Sequence, residues 1–364
     1  MLDCLLRPGY KVFVLAIGGG GDIASAALIA KALSRIGVKY VLGSIAWERY
    51  VYDESPGPIR LSEILNAVQR RNNYVLIDES SYALRRSKVV VFQAAKAAKA
   101  LGEQIYVIDV YGGVKGYVQA LRSIIEEEKV DLVIGVDVGG DSVAKGCEHN
   151  LWSPLADWVG LASLALVNGV IAVHSPGSDG ELDQEYILDR INYFAVKGAL
   201  RGVRAMCSVD AEFLSKILEY VDSEASWIPL LACKGVRGEV SIRNGTRSVK
   251  VSLINTLTFF LDARAIADDI EPVRALYDTT SLEEARSIIN DHGIYTELDL
   301  EEDIDRQGLN ASELTREILI DIRSKGIVRI RRKASRNYCV QDVPGNRETV
   351  NNDCKESRST DQIL

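Results

Sequence analysis

Two glycine turns that carry acids hold the residue types and spacing for chemistry in this chain. In Asp137-Val138-Gly139-Gly140-Asp141, Asp137 ends an apolar run and the double glycine lets Asp141 turn back beside it. Two carboxylates that close either share a proton or hold a hard cation such as Mg²⁺ or Mn²⁺ through oxygen. The plainer alternative has Asp137 capping a loop and Asp141 starting a helix. The second turn is Gly18-Gly19-Gly20-Gly21-Asp22, where Gly19, Gly21 and Ala24 fit the spacing of a dinucleotide fingerprint. Such glycines let backbone amides reach a phosphate at a helix N-terminus. Asp22 opposes that use, because its charge would repel a pyrophosphate by a few kcal/mol at an effective dielectric of ~20. A cation therefore intervenes, or the ligand is not a bare phosphate. Gly43 and Ser44 stand where a ribose-binding acid is expected, so a nicotinamide oxidoreductase lacks one of its parts. Here the plainer alternative is a tight turn with Asp22 as a helix cap.

Further acids fall at the ends of expected strands or just beyond them. They are Glu48 beside Arg49, Asp109 before Gly112-Gly113, Asp157, Asp179 and Glu181. In an open α/β sheet such loops gather on one edge, and acids crowded there need a metal, basic partners or protons. Arg49, Lys115 and Lys145 are the nearest counter-charges in sequence. His149 and His174 are possible general bases, whereas His292 reads as a residue at a helix C-terminus. No Ser-His-Asp order or nucleophile elbow is visible.

The elements that must position these residues alternate strand and helix. Strands are expected over 12–17, 39–43, 74–77, 104–108, 132–136 and 170–173, and helices over 23–33, 89–101, 113–128, 154–166, 182–199 and 211–221. Ser153 and Pro154 read as the N-cap and first residue of one helix. That grammar implies a Rossmann-like three-layer sandwich with a mainly parallel sheet. Beyond 226 it changes: Asn244-Gly245 joins two short strands as a hairpin, and 256–263 reads as another strand. Ser281 and Glu284 suggest a capping box, and 311–325 a last helix. The organisation expected is one α/β domain over 1–300 with an antiparallel C-terminal extension. A helix and strand follow over 301–335, then a disordered tail over 336–364.

The 364 residues, 47% hydrophobic and 26% charged, support a large core. A net charge of -8 argues against nucleic acid or an acidic membrane as partner. No apolar run reaches the ~20 residues of a membrane span. Cys4, Cys147, Cys207, Cys233, Cys339 and Cys354 contain no CxxC pair and suit reduced thiols in a cytoplasm. The basic run from Arg329 to Lys333 reads as a solvated strand or tail.

In their order, these motifs resemble a family of archaeal and bacterial proteins, the domain of unknown function numbered 1152. The resemblance rests on Gly18 to Asp22, Ala46-Trp47-Glu48-Arg49, Pro56-Gly57-Pro58, Asp109 with Gly112-Gly113, and Asp137 to Asp141. It continues with Ser153-Pro154-Leu155, Asp157, and Gly177-Ser178-Asp179-Gly180-Glu181-Leu182, and spans roughly residues 10 to 300. It implies a Rossmann-like fold and supplies no activity. The family pattern often has Cys at position 178, so Ser178 weakens any thiol mechanism.

Together these readings favour hydrolysis or group transfer on a small anionic metabolite, phosphorylated or carboxylated. Asp137, Asp141 and Asp179 are the catalytic candidates, and Asp137 with Asp141 the ligands for Mg²⁺ or Mn²⁺. Gly18, Gly19, Gly20, Gly21, Asp22, Glu48, Arg49, Gly112, Gly113, Gly139 and Gly140 are the ligand-binding candidates. A nucleotide or metabolite sensor without turnover is the alternative, and a homo-oligomer is compatible with either.

Overall fold

The computed structural model describes residues 5–336, 338 and 339. Five strands run parallel: β1 (Lys11–Ala16), β2 (Lys39–Ile45), β3 (Ile105–Ile108), β4 (Leu132–Val138) and β5 (Val170–His174). Their order across the sheet is β3-β2-β1-β4-β5. The chain builds outward from β1 in one direction, then returns to build in the other, which is the doubly wound arrangement. Each edge is extended antiparallel: Tyr74–Ile77 and Gln69–Arg70 beyond β3, Leu257–Asp262 and Leu200–Ala205 beyond β5.

Alternation along β1 explains the three layers. Phe13 and Leu15 enter one core with α3 (Gly113–Glu128) and α4 (Pro154–Leu166), through Tyr117, Leu121, Trp158 and Leu161. Val12, Val14 and Ala16 enter the other, with α1 (Ile23–Ser34) and α2 (Gln93–Leu101). Strands covered on both faces read as unbroken apolar runs, and β1 and β4 do so. The architecture is thus mixed α/β with a mainly parallel central sheet.

Several boundaries differ from the sequence reading, each for a local reason. The helix expected over 89–101 starts only at Gln93, because Lys88–Val90 pairs as a strand and Phe92 stays extended; a Val-Val-Val run favours that state. The helix expected over 182–199 ends at Val196, and after Gly198 (φ 78°) the chain becomes the edge strand Leu200–Ala205. Helix Glu224–Cys233, with Pro229 inside it, was not foreseen, since an internal proline reads as a stop. The Asn244-Gly245 hairpin pairs as expected, Ile242 opposite Arg247, but forms its own two-stranded sheet. Ser281 does cap helix Leu282–Asp291, while Glu284 accepts from Thr280 N instead of closing the box.

The C-terminal region holds two helices, Glu297–Arg306 and Arg316–Lys333, where a helix and a strand were expected. The basic run from Arg329 is the last turn of the second helix, and Arg329 binds the Asp303 carboxylate at 2.7 and 3.0 Å. The cysteine reading needs correction too: Cys147 and Cys339 form a disulfide across 192 residues, and Cys339 is buried in the core. A spacing that long leaves no local motif to read. Cys207 and Cys233 are free. Cys4, Cys354 and the tail from 340 onward lie outside the described residues. Among the described residues no helix is long and apolar enough to cross a membrane.

Candidate functional site

The direction of winding reverses between β1 and β4, and the loops leaving these two strands are the two acidic glycine turns. A crevice must open there, because the helices that follow the two strands lie on opposite faces. A cavity of about 610 Å³ occupies the place. Gly19, Gly20, Gly21, Asp22, Glu48, Arg49, Asp137, Asp141 and Asp179 all line it. Gly18, Gly139 and Gly140 are not among the lining residues. Their lack of a side chain makes room: a Cβ on Gly139 would stand 2.5 Å from the Asp179 carboxyl carbon, and one on Gly20 equally close to Glu48.

The carboxylates of the floor fall into different states. Asp137 is pinned locally: Oδ1 accepts from Gly140 N at 3.0 Å, and Oδ2 from Ser142 N at 3.0 Å and from the Ser142 hydroxyl. That turn uses the oxygens the sequence reading offered to a cation. Asp141 instead meets Asp179 and Glu181, with one oxygen from each within 4.8 Å of the others and all three residues buried. Among the described residues, Asp141, Asp179 and Glu181 are the carboxylates whose oxygens come together, and Asp137 is not among them.

Charge is distributed unevenly over that triad. Burial alone would raise Glu181, but Arg247 at 2.7 Å and Arg243 at 3.7 Å override it and hold the carboxyl down to about 2. Glu181 also accepts from Trp152 N at 2.6 Å and Ser153 N at 3.1 Å. Burial, with the charge of Glu181 behind it, drives Asp141 well above the carboxylate range. Ser153 Oγ lies 2.7 Å from Glu181 and 3.2 Å from Asp141. One hydroxyl has one hydrogen, so both contacts bond only when Asp141 is protonated and donates. Asp179 is pushed up to about 7 by burial and by Glu181. Arg243, its side chain 22% exposed, is brought down to about 9 by desolvation and by Arg247.

Acids reach the cavity from every side. Glu48 accepts from Gln93 N at 3.0 Å, capping α2, and its other oxygen is buried without a partner; burial lifts it to about 7. Glu297 accepts from Leu155 N at 3.0 Å and Ala156 N at 2.7 Å, so a residue 142 positions beyond Leu155 caps α4 where Ser153 was expected to. Desolvation still lifts Glu297 to about 8. Glu301 accepts from Gly57 N at 2.7 Å and Trp47 Nε1 at 3.2 Å and is raised to about 7, again by burial first. The wall also carries Arg49, Arg243, Arg247, Arg316 and Arg323.

Other expectations move away from the cavity. Gly112 and Gly113 start α3, but its N-terminus is covered by Thr279: Val114 N donates to Thr279 Oγ1 at 3.1 Å and Lys115 N to its carbonyl at 3.0 Å. Gly113 N is likewise engaged, donating to Val110 O at 3.1 Å. Asp109 closes a local turn on Tyr111 N. His174 is buried against Thr258 Oγ1 at 2.8 Å, and desolvation drives it down to about 3, so it stays neutral. His149 does line the cavity. The glycine loop spends two amides internally, Gly20 N on Trp47 O and Asp22 N on Gly19 O. Sequence reasoning missed Arg243, Arg247, Glu297, Glu301 and Arg323; only the two arginines flanking the Asn244-Gly245 turn carried a signal.

Fold and site define a doubly wound α/β protein whose switch-point pocket has a carboxylate floor and an arginine wall. The chain belongs to the family described as Protein of unknown function (DUF1152), whose model matches residues 13–305. Neither a curated protein nor a solved structure matches it. Helix Arg316–Lys333, which supplies part of the pocket wall, lies beyond the matched span.

Proposed function

We propose that this chain is a divalent-metal-assisted hydrolase or transferase acting on a small phosphorylated or carboxylated metabolite. The observation that carries the reading is the buried triad Asp141–Asp179–Glu181 at ligating distance on the floor of a roomy cavity. Three carboxylates so placed offer only oxygen, the donor set that suits Mg²⁺ or Mn²⁺. Glu181 keeps its charge and draws a cation toward the triad, while Asp141, whose Oδ1 is buried without a partner, and Asp179 give up protons as the cation enters. The arginine wall suits the anionic part of the ligand, which the acidic floor alone would repel. A cation at the triad would polarise a ligand oxygen.

The test is a mixed pool of phosphorylated and carboxylated metabolites incubated with the protein, with or without Mn²⁺, and read by mass spectrometry. A compound should be consumed only with Mn²⁺ and only by the wild type, not by Asp141→Asn. Equal consumption in chelator, or by Asp141→Asn, overturns the reading. Binding of a metabolite without any product transfers the pocket to the sensor alternative.

A further inference from the structure

The far side of the pocket floor is not used by that reading. Asp22 precedes α1 and Asp157 lies in the first turn of α4, so the chain brings them in from the two faces of the sheet. They face each other over the bare α-carbon of Gly18, where a Cβ would stand 2.5 Å from Asp22 Oδ2 and 3.0 and 3.4 Å from the Asp157 oxygens. Any other residue would fill this cradle. Asp22 has a single long contact, 3.4 Å from Val138 N. Asp157 is 5% exposed, lines the cavity, and its Oδ1 is buried with no hydrogen-bond partner. An orphaned carboxylate oxygen at that depth costs at least as much as a lost hydrogen bond. The strongest charged influences on Asp157 are all acids: Asp137, Asp22, Glu297 and Glu181. Glu181 has its arginines; Asp157 has no such relief, and a cation would supply it.

We infer that Asp22 and Asp157 form a second divalent-cation subsite beside the Asp141–Asp179–Glu181 triad, making the pocket floor a two-cation centre. This deepens the proposed function and rests on it. Two carboxylates suffice because Mg²⁺ and Mn²⁺ commonly take one or two from the protein and complete their shells with water and ligand phosphate oxygens. Two cations on one floor would clamp a phosphoryl or carboxyl group from two sides. They would also explain why so many acids converge where the loop amides alone would have favoured a bare anion. The substrate class narrows accordingly to metabolites presenting at least two anionic oxygens to the floor, with any remaining charge toward the arginines.

The experiment counts Mn²⁺ bound to the full chain at pH 7.5, by equilibrium dialysis with metal analysis. Wild type should hold two Mn²⁺ per chain, Asp157→Asn one, Asp141→Asn one, and the double variant none. Asp22→Asn should match Asp157→Asn, and reads the same subsite should Asp157→Asn fail to fold. One Mn²⁺ in wild type, kept by Asp157→Asn and lost by Asp141→Asn, overturns the second subsite while leaving the triad. Two Mn²⁺ retained by both Asp157→Asn and Asp22→Asn overturns the placement. No Mn²⁺ in wild type overturns the subsite and the proposed function together.

Discussion

Replacing Arg247 with methionine tests the electrostatics on which the pocket depends. Arg247 Nη1 lies 2.7 Å from Glu181 Oε1, and the two side chains are 11% and 0% exposed, so solvent screens the pair little. The pair keeps Glu181 at about 2, against an ordinary 4.5. A carboxyl depressed on folding contributes stability above its unfolded value and loses it as pH falls through the folded one. The contribution is therefore on the order of 3 kcal/mol above pH 4.5, falls to roughly half of that near pH 3, and vanishes below pH 2. Arg247→Met leaves Arg243 at 3.7 Å as the remaining guanidinium beside Glu181, so a large part of that stability should go. Breaking one side of a buried pair costs about 3–5 kcal/mol elsewhere, in agreement. For a chain of 364 residues the melting entropy is roughly 0.8 kcal/mol per degree, so the midpoint should fall by about 4 °C. Urea unfolding at pH 7 and pH 3, run on Arg247→Met, Glu181→Gln and the double variant, separates the pair from lost packing. The coupling energy should be about 2 kcal/mol at pH 7 and less than half that at pH 3. A coupling under about 0.5 kcal/mol at pH 7, or one independent of pH, refutes the argument.

Two other outcomes follow from the geometry. Asp137→Asn should keep the full complement of Mn²⁺, since the Asp137 oxygens already serve Gly140 and Ser142, while Asp137→Ala should lose about 2–4 kcal/mol in urea by orphaning buried amides; loss of a cation from Asp137→Asn would show that the turn opens to ligate. Cys147→Ser removes a link across 192 residues and should cost about 2–5 kcal/mol, matched by wild type in reductant. A non-reducing digest that shows no peptide pair joining Cys147 to Cys339 would dismiss that link.

Local chemistry made much of the layout legible in advance. Apolar β-branched runs ending in glycine-acid turns located β1 and β4, and the 3.6-residue pattern after each located α1 and α4. Asp22, Glu48, Asp141, Asp179 and Glu181 could be placed at one edge because parallel strands all point their C-terminal ends the same way. Boundaries failed where a neighbouring strand or cap outcompeted helix propensity, as at Lys88–Val90 and Leu200–Ala205.

Which acids touch which was beyond the sequence, because contact partners are chosen by packing between elements distant along the chain. Asp137 and Asp141 are four residues apart, yet the turn commits Asp137 to its own backbone and leaves Asp141 to meet Asp179 and Glu181. Arg247 reaches Glu181 from a hairpin 66 residues on, and Glu297 reaches the α4 N-terminus across more than 140. Strands, glycine turns and a surplus of acid were readable from the chain because they follow from propensities that act over a few residues. Which carboxylates are charged was not, since burial and the reach of an arginine are properties of the assembled fold.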